Sequence, residues 1–300
     1  MKSEDRLQRF LFEEAPVRGH WVSLSKTWAQ AREHQTLPAE VMNLLGESLA
    51  AASLFAASLK FTGTLTLQLT GGTGRVGMLV AQATDGGSLR GFAHMDAAVT
   101  ATGDGFQDLV GGGRLVVSVE QGDGIAPWQG VVELAGNALS DSLENYFAVS
   151  EQLPTAIVLA ANAEHAAGLL LQKLPTPAAL GEGAAAGVQD LWEEATALLA
   201  TLQPEELLAW NVDELLRKLF GNRDLRLFDG APMHFACRCS RERVSAMLHG
   251  IGKPEVDSII EEQGAVTVTC EFCQKPYRFD AVDAAQLFVA GAAEASAQLN

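Results

Sequence analysis

Two thiol pairs, Cys237-Arg238-Cys239 and Cys270-Glu271-Phe272-Cys273, account for all 4 cysteines of the 300-residue chain. A fold that brings two such closely spaced pairs together builds a tetrahedral site for zinc or a comparable soft metal. The same sulfurs can close two disulfides instead, so the residues alone leave a staple, a metal cage and a switch all open. A thioredoxin-type use of Cys270 and Cys273 needs the first thiol at a helix N-terminus. Here the pair lies between two strand-like runs with Glu271 inside it, which argues against that chemistry. Arg238, Arg241 and Arg243 surround the first pair with positive charge that would favour thiolates at Cys237 and Cys239, or else form a solvated helix face. His234 and His249 are close enough in sequence to replace a cysteine, but four thiols already complete a ligand set.

Little else in the chain suggests chemistry. Gly72-Thr73-Gly74-Arg75-Val76-Gly77 matches a dinucleotide-binding fingerprint by letter. It joins two strand-like runs and opens no helix, so a glycine-rich hairpin turn is expected. No nucleophile elbow, H-E-x-x-H helix or phosphate-loop lysine is present, and no enzymatic activity is expected.

Composition narrows the class. With 48% hydrophobic residues the chain can bury a sizeable core. The early apolar stretch from Ser48 to Leu59 is free of charge but short of the roughly 20 residues of a membrane span, so none is expected. Met1 to Asp5 is charged with no apolar run behind it, so a cytoplasmic setting with reduced thiols is expected. A formal charge of −16 repels a phosphate backbone and disfavours nucleic-acid binding.

The elements that must position the thiols read as an α+β fold. An N-terminal domain, 1–178, is expected to carry a largely antiparallel sheet with helices. Leu37-Pro38-Ala39-Glu40 opens a helix to about Leu59, and Leu65–Leu69 and Met78–Gln82 alternate as a hairpin. Further strands are expected at Leu89–His94, Arg114–Glu120, Val131–Leu134, Thr155–Ala160 and Gly168–Lys173. A helix is expected from Ser140, as N-cap, to Gln152, closed by Pro154. Pro175, Pro177, Gly181, Gly183 and Gly187 should break regular structure and mark a boundary. A helical linker region, 179–230, follows, with amphipathic helices near Val188–Leu202 and Pro204–Phe220 that must pack on something, the first sheet being the natural surface. A small C-terminal zinc-binding domain, 231–300, should contain a helix capped by Ser240, another begun at Pro254, and a hairpin with the second cysteine pair at its tip. Asp280 should cap a last helix to about Ala290, before a frayed tail.

The run from Phe235 through Cys237, Cys239, Ser240 and Arg241 to Val244, then Glu261-Glu262-Gln263-Gly264, then Val268-Thr269-Cys270-Glu271-Phe272-Cys273, closely resembles the C-terminal signature of the oxidation-activated chaperone family heat shock protein 33. The likeness extends to Leu215-Leu216-Arg217-Lys218-Leu219-Phe220 and to Asn145 through Thr155, and so covers essentially the whole chain. It implies an ATP-independent holdase whose reduced form binds one zinc through Cys237, Cys239, Cys270 and Cys273 and is nearly inactive. Hypochlorous acid, or peroxide with heat, would then oxidise the cysteines, expel zinc and expose a surface that holds unfolding client proteins. The resemblance also implies disulfides Cys237–Cys239 and Cys270–Cys273, and a homodimer on activation.

Elementary energetics fit that scheme. A 70-residue segment, Ala231 to Asn300, rarely gains more than ~3–5 kcal/mol from its core alone, whereas structural zinc in small peptides contributes an apparent ~10–16 kcal/mol. Loss of the metal would therefore unfold it. A disulfide across Arg238 would be strained and easily reduced again, which suits a reversible device. The helices beside the switch would then loosen and expose their apolar faces.

Overall fold

The computed structural model describes residues 5–33, 35–99, 103–121, 126–175 and 181–288. Its contacts divide the chain into two compact units, Met1–Ala236 and Cys237–Asn300. The helices of the 179–230 region fall in the first unit.

That unit opens with two strands, β1 (Arg6–Phe12) and β2 (Val17–Leu24), which the sequence reading had not separated. There follow α1 (Lys26–Arg32), α2 (Ala39–Ser58), β3 (Gly63–Thr70), β4 (Val76–Thr84), β5 (Ser88–Met95), α3 (Phe106–Val110), β6 (Arg114–Gln121) and β7 (Trp128–Glu133). Next come α4 (Leu139–Tyr146), running into a π-helical turn (Phe147–Glu151), then β8 (Thr155–Ala161), β9 (Ala166–Lys173), α5 (Gly181–Leu199), α6 (Pro204–Ala209) and α7 (Val212–Phe220). Three short strands, β10 (Leu225–Leu227), β11 (Ala231–Pro232) and β12 (His234–Phe235), close the unit.

Two six-stranded sheets result. One has the order β10-β1-β2-β9-β8, with β11 also on β1; the other runs β12-β5-β4-β3-β6-β7. Among the described residues every pairing is antiparallel except that of β12 with β5. The expected hairpin is present, with Leu65 opposite Ala83 and Leu69 opposite Leu79. Its glycine-rich turn packs on a second loop: Gly72 N–H donates to the Val110 carbonyl at 2.8 Å and Thr73 N–H to that of Gly111 at 3.0 Å. A Cβ at Gly72 would sit 2.2 Å from the Gly111 oxygen, so the glycine serves a close backbone approach.

Helix α2 is the axis of the unit. By length and apolar composition it could cross a membrane, but most of it is buried. Leu45, Leu49 and Phe55 join Val22, Leu24 and Leu170 of one sheet and Leu65, Leu79 and Val117 of the other in a single core. A helix apolar all round is what a site between two sheets selects.

The opposite face of the first sheet carries Phe10, Phe12, Trp21 and Leu169, and α5, α6 and α7 cover it with Leu191, Leu199, Leu207, Leu215 and Phe220. The amphipathic helices therefore pack on the sheet, as expected. Phe12 meets Phe220 edge-on at 5.2 Å between ring centroids. The ring of Phe10 lies over Gly19, where a Cβ would come within 2.0 Å of it.

Three details differ from expectation. Helix α5 begins at Gly181, so Gly181, Gly183 and Gly187 lie inside a helix instead of breaking one. The alanines around them are the best helix formers, and each glycine costs only about 1 kcal/mol. The run Pro204–Phe220 is two helices, because Asn211 leaves helical geometry to accept the Glu214 N–H at 3.0 Å as an N-cap. Helix α4 starts at Leu139 rather than being capped by Ser140, and the Asp141 carboxylate accepts from the N–H groups of Asn137 and Ala138 at 2.7 and 3.2 Å. Pro177 and the tail beyond residue 288 lie outside the described residues.

Candidate metal centre

The Cys237–Asn300 unit contains α8 (Arg241–Ile251), α9 (Lys253–Gln263), β13 (Val266–Thr269) and β14 (Pro276–Phe279), and residues 281–288 are helical. Ser240 caps α8, its Oγ accepting the Arg243 N–H at 3.3 Å. Gly264 ends α9 in the left-handed region at φ 77°, a conformation glycine adopts without strain. Asp280 Oδ1 accepts the N–H groups of Val282 and Asp283, both at 2.9 Å, and so caps the last helix as the sequence suggested. Val244, Leu248, Val256, Val266, Tyr277, Phe279 and Ala284 form a small separate core, with Cys239 and Cys270 packed against it.

Hairpin register places the second thiol pair. Val266 pairs with Phe279 and Thr269 with Pro276, so Cys270 to Gln274 must turn the chain. Gln274 N–H donates to the Cys270 carbonyl at 2.8 Å, Cys270 N–H donates to the Lys275 carbonyl at 3.0 Å, and Gln274 takes φ 53° to close the turn. The turn aims both sulfurs at the loop that carries the first pair.

All four sulfurs lie within 4.8 Å of one another. Cys237 Sγ is 3.4 Å from that of Cys239 and 3.5 Å from that of Cys270, and Cys239 Sγ is 3.4 Å from that of Cys273. These separations are too long for disulfides, which need about 2.05 Å. They are near the ~3.8 Å edge of a tetrahedron built on zinc–sulfur bonds of ~2.3 Å. The donor set and its spacing thus fit a soft divalent ion held by four thiolates.

The thiols are not equivalent. Burial alone would raise Cys239, but the hydrogen bond from Tyr277 and those from the other three cysteines bring it down to about 7. Burial pushes Cys273 up to about 12, and the neighbouring sulfurs add to that against the Lys275 N–H. Cys237 is raised, chiefly by burial. Cys239 is thus readier to ionise than Cys237 and Cys273, and a bound cation would compensate the negative charge that accumulates as thiols ionise.

Arg241 and Arg243 reach backbone carbonyls, a carboxylate and a ring. Arg241 pairs with Asp283 at 2.9 Å, donates to the Arg278 carbonyl at 2.8 Å and stacks over Phe279 at 4.2 Å. Arg243 donates to the Arg238 carbonyl at 3.0 Å, bracing the loop between the first two thiols. Neither histidine joins the cluster among the described residues: His234 sits in β12 against β5, and His249 stacks on Phe288 at 5.4 Å. The sequence reading missed Tyr277 as a partner of the site. Its alternation with Phe279, both inward on β14, is the signal that could have found it.

Comparison with known proteins extends over the full length. The family model described as Hsp33 protein matches residues 5–280. The 33 kDa chaperonin of Nitrosococcus oceani is 41% identical over 288 residues, 96% of this chain and 96% of its own. That of Chromobacterium violaceum is 42% identical, covering 98% of this chain and 99% of its own. The crystal structure of the 33 kDa chaperonin (heat shock protein 33 homolog) from Thermotoga maritima superposes with a TM-score of 0.80 at 22% identity, over 96% of this chain and 99% of that one.

Proposed function

The chain belongs to the Hsp33 family of chaperones, and from that premise we propose that it is an ATP-independent holdase gated by its four cysteines. In this reading residues 1–178 form the chaperone core, 179–230 the linker and 231–300 the switch, whose first residues, Ala231–Ala236, belong to the first compact unit and whose remainder, Cys237–Asn300, is the second. In the reduced state Cys237, Cys239, Cys270 and Cys273 hold one zinc ion, which when bound compensates their charge and ties the two cysteine loops together. The convergence of all four sulfurs within 4.8 Å, beside a core of few residues, carries the reading.

Activation is a pair of two-electron oxidations. A thiolate attacks peroxide, the O–O bond breaks, hydroxide leaves and a sulfenic acid remains; a second thiol then displaces that oxygen as water while the S–S bond forms. A sulfur so committed no longer ligates metal. In the folded site Cys239 is as near to Cys273 as to Cys237, so distance alone does not select partners. The pairing proposed is the one the family implies, Cys237–Cys239 and Cys270–Cys273.

Melting of the switch then loosens α5, α6 and α7, which carry Leu215, Leu216 and Phe220 against the sheet. Their apolar faces and the sheet face beneath them become the surface that holds unfolding clients, and the active form dimerises. The expected compartment is the cytoplasm, where reduced thiols are the resting state.

The test measures zinc content, free thiols and suppression of a heat-denatured client's aggregation, before and after peroxide or hypochlorite. Zinc loss, thiol loss and new activity should coincide. Equal activity in the reduced zinc form removes the gating; metal retained through oxidation indicates a constitutive zinc module instead.

A further inference from the structure

Tyr277 is 6% exposed within the small C-terminal core, and its Oη–H donates to Cys239 Sγ at 3.2 Å. A phenol has one proton to donate, and here it goes to one sulfur of the four. The ring is held by the pairing of Tyr277 with Val268 in the hairpin, it belongs to the core that contains Val244 and Leu248, and Lys275 Nζ lies 5.3 Å from its centroid. The hydroxyl therefore has little freedom to turn elsewhere. Phenylalanine would fill the same volume and lack only the hydroxyl.

Resting on the metal-centre reading above, we propose that Tyr277 is a positioning residue that sets how readily the Cys239 thiolate reacts with oxidant and how firmly it stays on the metal. Attack on peroxide uses a sulfur lone pair: the S–O bond forms, the O–O bond breaks and hydroxide leaves. A hydrogen bond to that sulfur withdraws electron density from the same lone pairs and fixes their direction. Partners of this kind orient metal ligands, and their removal weakens metal sites measurably. The hydroxyl thus makes the cage harder to trip, and it does so at one member of the Cys237–Cys239 pair.

The experiment uses the full-length protein loaded with cobalt(II), whose tetrahedral absorption reports on the sulfurs directly. Tyr277→Phe should keep the tetrahedral spectrum while moving the sulfur-to-cobalt charge-transfer band to longer wavelength, and peroxide should release the metal about threefold to tenfold faster. Uniform 3-fluorotyrosine, a stronger donor at the same position, should shift the band the opposite way and slow release; it decides the question even if the phenylalanine variant folds poorly. The protein has only 2 tyrosines, and the other, Tyr146, lies in the first unit. Unchanged band and unchanged release rate in both substitutions, with tetrahedral cobalt bound, overturn the role of Tyr277 and leave the metal centre standing. Failure of the unmodified protein to bind cobalt tetrahedrally overturns the metal-centre reading itself.

Discussion

Cys239 and Cys273 share the same neighbours, yet Cys239 is brought down to about 7 and Cys273 is driven up to about 12. Such a set cannot ionise fully without a cation, so each thiol depends on the others for its role. Replacing any one, for instance Cys270→Ser, should weaken zinc binding by at least about 100-fold in chelator competition. An undiminished affinity would show that the fourth sulfur is dispensable. A second residue tests the core of the first unit. Glu47 is partly buried on α2, and burial pushes its carboxyl up to about 7. The protonated form is thus the one the fold prefers. The cost is absent below the unfolded value near 4.5, grows as pH rises and is complete above about 7. Glu47→Gln should accordingly leave stability unchanged at pH 4.5 and raise it by about 2 kcal/mol at pH 8, read by urea unfolding. A gain that does not vary with pH would refute the cause.

At the scale of elements, the covering of the first sheet by α5, α6 and α7 is the feature most sensitive to a small change. Gly19 leaves room for the Phe10 ring, which with Phe12 forms the floor on which Phe220 rests. Gly19→Ala should displace that ring, cost about 1–3 kcal/mol by overpacking and raise binding of an apolar dye to the reduced, zinc-loaded protein. Dye binding equal to that of the unmodified protein would mean that the floor accommodates the methyl group. Asn211→Ala removes only the cap of α7 and should cost about 1 kcal/mol without altering the sheet beneath. Most of these elements were legible from period and punctuation: the β3–β4 hairpin, α2, the Ser240 cap and the Asp280 cap. Strands β1 and β2 were not, since buried β2, with its run Trp21, Val22 and Leu24, has apolar residues on both faces and loses the alternation of a half-buried strand. The break at Asn211 was hidden because leucines on both sides of it continue the helical pattern.

For the whole molecule, two units with separate cores should respond separately to removal of the metal. All 5 tryptophans (Trp21, Trp28, Trp128, Trp192 and Trp210) lie in Met1–Ala236 and none in the cysteine unit. Chelation combined with oxidation should therefore remove the circular-dichroism signal of α8 and α9 and change the fluorescence of Trp192 and Trp210 beside the loosened helices, while hydrogen exchange in the core around Trp28, between the two sheets, stays as slow as before. Loss of that signal and of the slow exchange together would mean that the units fold as one. The sequence by itself determined the donor set, the hairpin that presents Cys270 and Cys273, the α+β class and the family, because these depend on residue type and on spacing along the chain. Tertiary structure alone decided that the sulfurs meet within 4.8 Å, that Tyr277 reaches Cys239 and that the helices before the switch lie on a sheet face made of Phe10, Phe12 and Trp21. Those contacts join residues far apart in the chain, and no local preference encodes which distant partner a buried side chain will meet.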